Sequence, residues 1–184
     1  MSLRVARTLF AALAFTGPLF AQPAGGGIVV HLADGTSLML HTWSLTYEYA
    51  ASRRGEPPTF GSTARREAQD LWVGKKAFPL PGRTLEIVYA EENHPVGGAL
   101  QKVPVARGFV LVSQGKRDTL KAEPPHPDLL ARDASGLLVQ ARALDLHGET
   151  IAGTKREFCL LSYSALVECP VQADQRVVKI QFQP

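Results

Sequence analysis

The chain has 184 residues, with 20 Lys plus Arg against 17 Asp plus Glu, five histidines and two cysteines. Its basic excess of +3 is too small and too scattered for a nucleic-acid surface, which needs a clustered run of positive charge. At 45% hydrophobic, with 16 Gly and 13 Pro, the composition is that of a folded domain rich in turns.

Arg4 and Arg7 precede an apolar run from Leu9 to Phe15, followed by Gly17-Pro18 and Leu19-Phe20-Ala21. A charged start, a short apolar middle and a small final residue specify a cleavable secretory signal peptide over residues 1–21. The 14 residues from Thr8 to Ala21 fall short of a membrane-crossing helix, which needs roughly 20, so no permanent transmembrane segment is expected. Residues 22–27 then form a Gly/Pro linker, and 28–184 a single β-rich domain. Cleavage removes Arg4 and Arg7 and no acid, so 20 bases against 17 acids become 18 against 17 and the mature domain is nearly neutral. The expected location is periplasmic or secreted.

Ile28 to Tyr49 carries the clearest local signal. Ile28, Val30 and Leu32 alternate along one arm and Leu38 and Leu40 along the next, with Asp34-Gly35 between them as a tight hairpin turn. The alternation passes to odd positions at Trp43, Leu45, Tyr47 and Tyr49, which predicts a β-bulge near His41-Thr42. Ala50 to Asp70 contains Gly55, Pro57-Pro58 and Gly61 and is expected to be a solvated loop with a short helix over Thr63 to Asp70. Leu71-Trp72-Val73 and Phe78 with Leu80 make two arms about Gly74-Lys75-Lys76, and Pro79 and Pro81 put the second at a sheet edge. After a turn at Pro81-Gly82, Leu85, Ile87 and Tyr89 alternate along another strand.

A loop is expected from Glu91 to Arg107, a short strand from Phe109 to Val112, and a proline-rich connection over Lys121 to Ser135. Leu137 to Leu146 predicts a long strand ended by a turn at His147-Gly148. Phe158 to Leu161, Leu166 to Cys169 and Val177 to Phe182 complete the set, the last with Val178, Ile180 and Phe182 on one face. Nine or ten such strands with almost no helical period predict an all-β fold, either an antiparallel β-sandwich or a small, partly open β-barrel. Only 38–49 and 137–146 approach the length of a membrane-spanning strand, which disfavours an outer-membrane barrel. Cys159 and Cys169 flank LLSYSALVE, and a hairpin about Ser164 sets them opposite each other, predicting a cross-strand disulfide.

Chemistry is harder to find. H-E-x-x-H, G-x-S-x-G, the P-loop and G-x-G-x-x-G are all missing. No two histidines stand at i, i+2 or i, i+4, and His31 with His41 across the first hairpin would offer two nitrogens where zinc takes three or four ligands. Neither a metal site nor a cofactor is therefore expected. Carboxylates such as Glu91 with Glu92, or Asp145 with Glu149, are candidates for an acid/base pair in glycoside cleavage.

One constellation points to binding. Trp43, Tyr47 and Tyr49 share a strand face that leads into Arg53-Arg54. Exposed, these rings and guanidinium groups would stack on sugars or clasp an extended peptide; buried, they would be core. The expected function is a non-enzymatic binding or interaction module of the bacterial cell envelope, with a glycan, peptide or protein partner. The alternatives are a hydrolase of envelope glycans or peptides using paired carboxylates, and a structural module offering an edge strand to a partner chain.

Overall fold

The computed structural model describes residues 26–50, 63–73, 76–96, 98–121, 130–132, 138–162, 169 and 172–184. The expected signal peptide, Arg53, Arg54, the hairpin apex about Ser164, and all of the expected strand Leu166 to Cys169 except Cys169 lie outside the described residues.

Strands β1 (Ile28–Leu32) and β2 (Ser37–Leu40) form the expected first hairpin, and Val30 opposite Leu38 sets the apolar residues of both arms on one face. Gly35 takes a φ of 90° at the turn, a value that costs a residue without Cβ little. Asp34 Oδ1 accepts bonds from the Thr36 backbone N–H and hydroxyl at 2.8 and 2.7 Å, which hold its carboxyl below the usual carboxylate range. Strand β3 (Thr42–Ala50) follows after a bend at His41, but it pairs in a different sheet. The slip in alternation at His41-Thr42 is therefore a corner between sheets and not a bulge within one. Leu40 on one side of it and Trp43, Leu45 and Tyr47 on the other all point into the same core.

The six-stranded sheet runs β2-β1-β13-β7-β8-β9, where β7 spans Thr84–Val96, β8 Ala99–Ser113, β9 Lys116–Lys121 and β13 Val177–Phe182. The second sheet runs β10-β11-β3-β4, with β4 Thr63–Ala68, β10 Leu130–Arg132 and β11 Leu138–Glu149, and β12 (Lys155–Ser162) also pairs with β11. Strands β5 (Asp70–Val73) and β6 (Lys76–Pro79) make a separate hairpin. Every pairing is antiparallel, the sheets do not close on themselves, and no helix occurs among the described residues.

Side chains from both large sheets meet in one core. Ile28, Val30, Leu85, Phe109, Leu111, Val177 and Ile180 come from the first, and Leu45, Tyr47, Leu144, Leu146, Phe158 and Leu160 from the second. Trp43 bridges the two: its ring meets Phe182 edge-on at 4.7 Å, and its Nε1 donates to the Gly26 carbonyl at 3.1 Å. Tyr47, fully buried, donates from its hydroxyl to the Asp70 carbonyl at 2.6 Å and accepts from the Trp72 N–H at 3.0 Å, pinning β5 against β3. Burial of that phenol raises its pKa.

Several local expectations are corrected. Thr63 to Ala68 is strand β4, not a helix, because pairing with β3 from Leu45 to Ala50 overrides the helix-forming Ala-Arg-Arg-Glu-Ala. Glu91 to Arg107 is not a loop but the outer half of a long β7–β8 hairpin, continuous from Thr84–Val112 to Val96–Ala99 with one irregularity after Val88. His147 and Gly148 lie within β11, and the turn comes later, at 150–153. On β13 the core residue is Val177 and not Val178: the pairing with β1 shifts between His31 and Leu32 and skips Val178.

Candidate functional site

Along β11, Leu144 and Leu146 turn into the core, so Asp145 and His147 point to the opposite face of the sheet. Strand β12 runs beside them with a register shift after Leu144, where Leu160 is the extra residue; beyond that shift Asp145 faces Cys159 and His147 faces Glu157. A second irregularity, between Ala141 and Ala143, lies on the other side, in the pairing with β3. Two irregularities thus lie just before the outward residues Asp145 and His147 of β11, one in each pairing, and set how they meet their neighbours, a common device beside functional sites.

The consequence is a compact cluster. One ligand-type atom each from Asp145, His147 and Glu157 lie within 4.8 Å of one another, with His147 Nε2 at 3.9 Å from Glu157 Oε1. Asp145 and His147 are half-buried and Glu157 is exposed. Burial, with the charges of Glu157 and Glu48, pushes the Asp145 carboxyl up to about 6 against the partial relief of His147 and Arg65. Arg65 itself pairs with Glu48 at 3.3 Å.

The shift has a stability consequence with a definite sign. The folded-state pKa of Asp145 lies above its unfolded value near 3.8. Between pH 4 and 6 the folded form therefore binds more protons, and stability falls as pH rises through that window. At about 1.4 kcal/mol per unit the cost at neutral pH would be near 3 kcal/mol, and solvent around a half-exposed group reduces it to about 1–2 kcal/mol. Asp145→Asn is expected to be that much more stable than wild type in urea denaturation at pH 7, with the difference gone by pH 4. Equal stabilities at pH 7 would mean that the carboxylate is well solvated.

Beside the cluster is a groove of about 700 Å³, lined among others by Thr42 and Ser44 of β3, Glu67 of β4, and His147, Glu149 and Glu157. Gly148 forms part of it for a steric reason. A Cβ there would sit 2.5 Å from Leu40 Cδ1 and 2.7 Å from the Thr42 carbonyl, so only glycine lets the corner at His41 close over β11. His41 is tied down at that corner, its backbone N–H donating to the Glu149 carbonyl at 2.9 Å and its Nδ1 lying at 2.9 Å from the same oxygen.

The aromatic stripe divides. Trp43 and Tyr47 are 6% and 0% exposed, so their rings serve as core and do not form an open stacking platform, although the rim of Trp43 reaches the groove. Tyr49 pairs through its backbone with Ala64 and Ala141; its side chain, like Arg53 and Arg54, lies outside the described residues. The histidines of the first hairpin do not meet: His31 bonds Ser37 Oγ and Gln181 Oε1 at 2.8 Å each, and His41 turns to β11.

Among the carboxylates, Glu91 and Glu92 point to opposite faces of β7, and Glu92 is held by both Arg107 nitrogens, Nε and Nη2, a pairing that lowers its pKa. Asp145 and Glu149 share a face but stand four residues apart, about 13 Å along a strand. The acid that approaches Asp145 is Glu157, across the strand pair. Cys159 and Cys169 form a disulfide with their Cα atoms 5.2 Å apart. No helix among the described residues is long and apolar enough to cross a membrane. Comparison of the chain with family models, curated proteins and solved structures found no match in any of the three.

Proposed function

We propose that this chain is a non-enzymatic binding module of the cell envelope or exterior, a β-sandwich that takes a glycan or an extended peptide into the groove on the outer face of its second sheet. The groove carries this reading: hydroxyls of Thr42 and Ser44, carboxylates of Glu67, Glu149 and Glu157, and the cations Lys155 and Arg156 stand around one open channel. Such a lining offers donors and acceptors to a polar chain, and strands hold it without rearrangement. Export to the periplasm or beyond is supported by the Cys159–Cys169 disulfide and by the charged and apolar N-terminal sequence.

The second reading, hydrolysis of an envelope polymer, is favoured by one observation, the approach of Asp145 and Glu157 with the Asp145 carboxyl raised to about 6. Co-sedimentation with purified peptidoglycan sacculi tests both. The folded protein is expected in the pellet without release of soluble fragments, and Ser44→Trp, which fills the groove, is expected in the supernatant. Equal pelleting of the two proteins, or none by wild type, would refute the groove as the binding site for this polymer. Fragment release abolished by Asp145→Asn would replace binding by hydrolysis.

A further inference from the structure

We infer that Asp145, His147 and Glu157 form a binding site for a divalent transition-metal cation of the Zn²⁺ class. The inference rests on the strand register and stands whether or not the groove takes a polymer. Residues at i and i+2 of a strand share a face, and a directly opposed residue on the next strand lies beside them. Asp145 and His147 supply the first pair and Glu157 the opposed position, so three donors converge from two neighbouring strands.

The donor set has a definite chemistry. One imidazole nitrogen with two carboxylates suits a borderline cation such as Zn²⁺ better than Mg²⁺ or Ca²⁺, which take oxygen ligands alone. Zinc holds nitrogen and oxygen ligands at about 2.0–2.2 Å, which puts ligand atoms a little over 3 Å apart. From a spread of 4.8 Å, closure needs small side-chain rotations, and exposed Glu157 has the freedom to make them. Two carboxylates with oxygens within 4.8 Å of each other repel; a divalent cation between them removes that repulsion and gains two charge-assisted ligands. Strand β11 is paired on both sides here, with β3 and β12, so the backbone carrying two of the three donors is fixed in advance.

Three protein ligands leave a fourth position to water or to an incoming oxygen. Because His147 and Glu157 also line the groove, that position would present the cation to whatever the groove contains. The cation would thus act as an electrophilic anchor for a hydroxyl or carbonyl oxygen.

Equilibrium dialysis of the full chain against ZnCl₂ at neutral pH, after stripping with EDTA and removal of the chelator, tests the site by elemental analysis. A single bound equivalent is expected, kept by His31→Ala, whose imidazole lies on the other sheet, and lost in His147→Ala and Asp145→Asn. Circular dichroism establishes that each variant is folded; should His147→Ala fail to fold, Asp145→Asn decides alone. No saturable zinc binding by wild type would overturn the assignment, and so would an equivalent retained by a folded Asp145→Asn. Saturable Ca²⁺ binding without Zn²⁺ binding would also overturn it, because the imidazole would then be no ligand.

Discussion

Trp43→Ala is expected to destabilise the fold by about 3–5 kcal/mol, the range for deleting a large buried aromatic side chain. The size follows from where the ring sits. Trp43 belongs to one sheet and packs edge-on against Phe182 of the other, while its Nε1–H satisfies the Gly26 carbonyl. Removal opens a cavity between the sheets and leaves that carbonyl without its donor. With a slope of about 2 kcal/mol per molar urea, the midpoint should fall by roughly 1.5–2.5 M. Trp43→Phe keeps most of the packing and should lose about 1–2 kcal/mol, the share of the hydrogen bond and the missing ring area. A midpoint for Trp43→Ala within error of wild type would show that the ring is no bridge.

Removal of the disulfide is expected to cost about 3 kcal/mol, the loop-closure value for a closed segment of this length. The bridge spans ten positions, between Cys159 of β12 and Cys169. A double serine variant avoids the stray thiol that a single substitution would leave. Reduction of wild type should produce the same loss in midpoint as that variant, since both free the same chain entropy. The effect also has a location: Cys159 is the register partner of Asp145, so one end of the bridge is anchored beside the outward residues of β11. Limited proteolysis should then cut first between 159 and 169. An unchanged midpoint in the double variant would mean that the unfolded chain is already constrained there.

The parts of the fold legible in the sequence are those in which a hairpin announces itself locally. Ile28 to Leu40 has alternation on both arms and Asp-Gly between them, and Leu71 to Phe78 is comparably self-contained. Thr63 to Ala68 fails because its residues favour a helix in isolation, and only the neighbouring β3 makes it a strand. The outer half of the β7–β8 hairpin fails for another reason. Between Glu91 and Gln101 the described side chains range from half-buried to fully exposed, so no apolar period marks them, and Pro95 and Pro104 read as breakers.

The cluster was missed through one glycine. Gly148 beside His147 has the signature of a turn, yet it is a strand glycine required by the approach of Leu40 and Thr42. A chain reversed at 147 cannot place residue 157 opposite it; with the turn at 150–153, His147 and Glu157 become partners. Histidine-to-histidine spacings alone carry no sign of it. Asp145-x-His147 was the available signal, and the opposed acid is visible only once the register is known.

Strand β13 sits between β1 and β7, so Ile28 pairs with Phe182 and His31 bonds Gln181 across 150 positions of sequence. Closing so long a loop is slow, and it cannot begin until residues 177–182 exist. A growing chain therefore leaves the ribosome with β1 and β2 uncovered and their apolar face, Ile28, Val30 and Leu40, open to solvent. Completion of this sheet waits until residues 177–182 have been made. Under the proposed export this delay is an asset, because a chain whose first sheet is still open stays extensible for threading through a narrow pore; the same delay makes it a client for any holding factor that shields apolar strands.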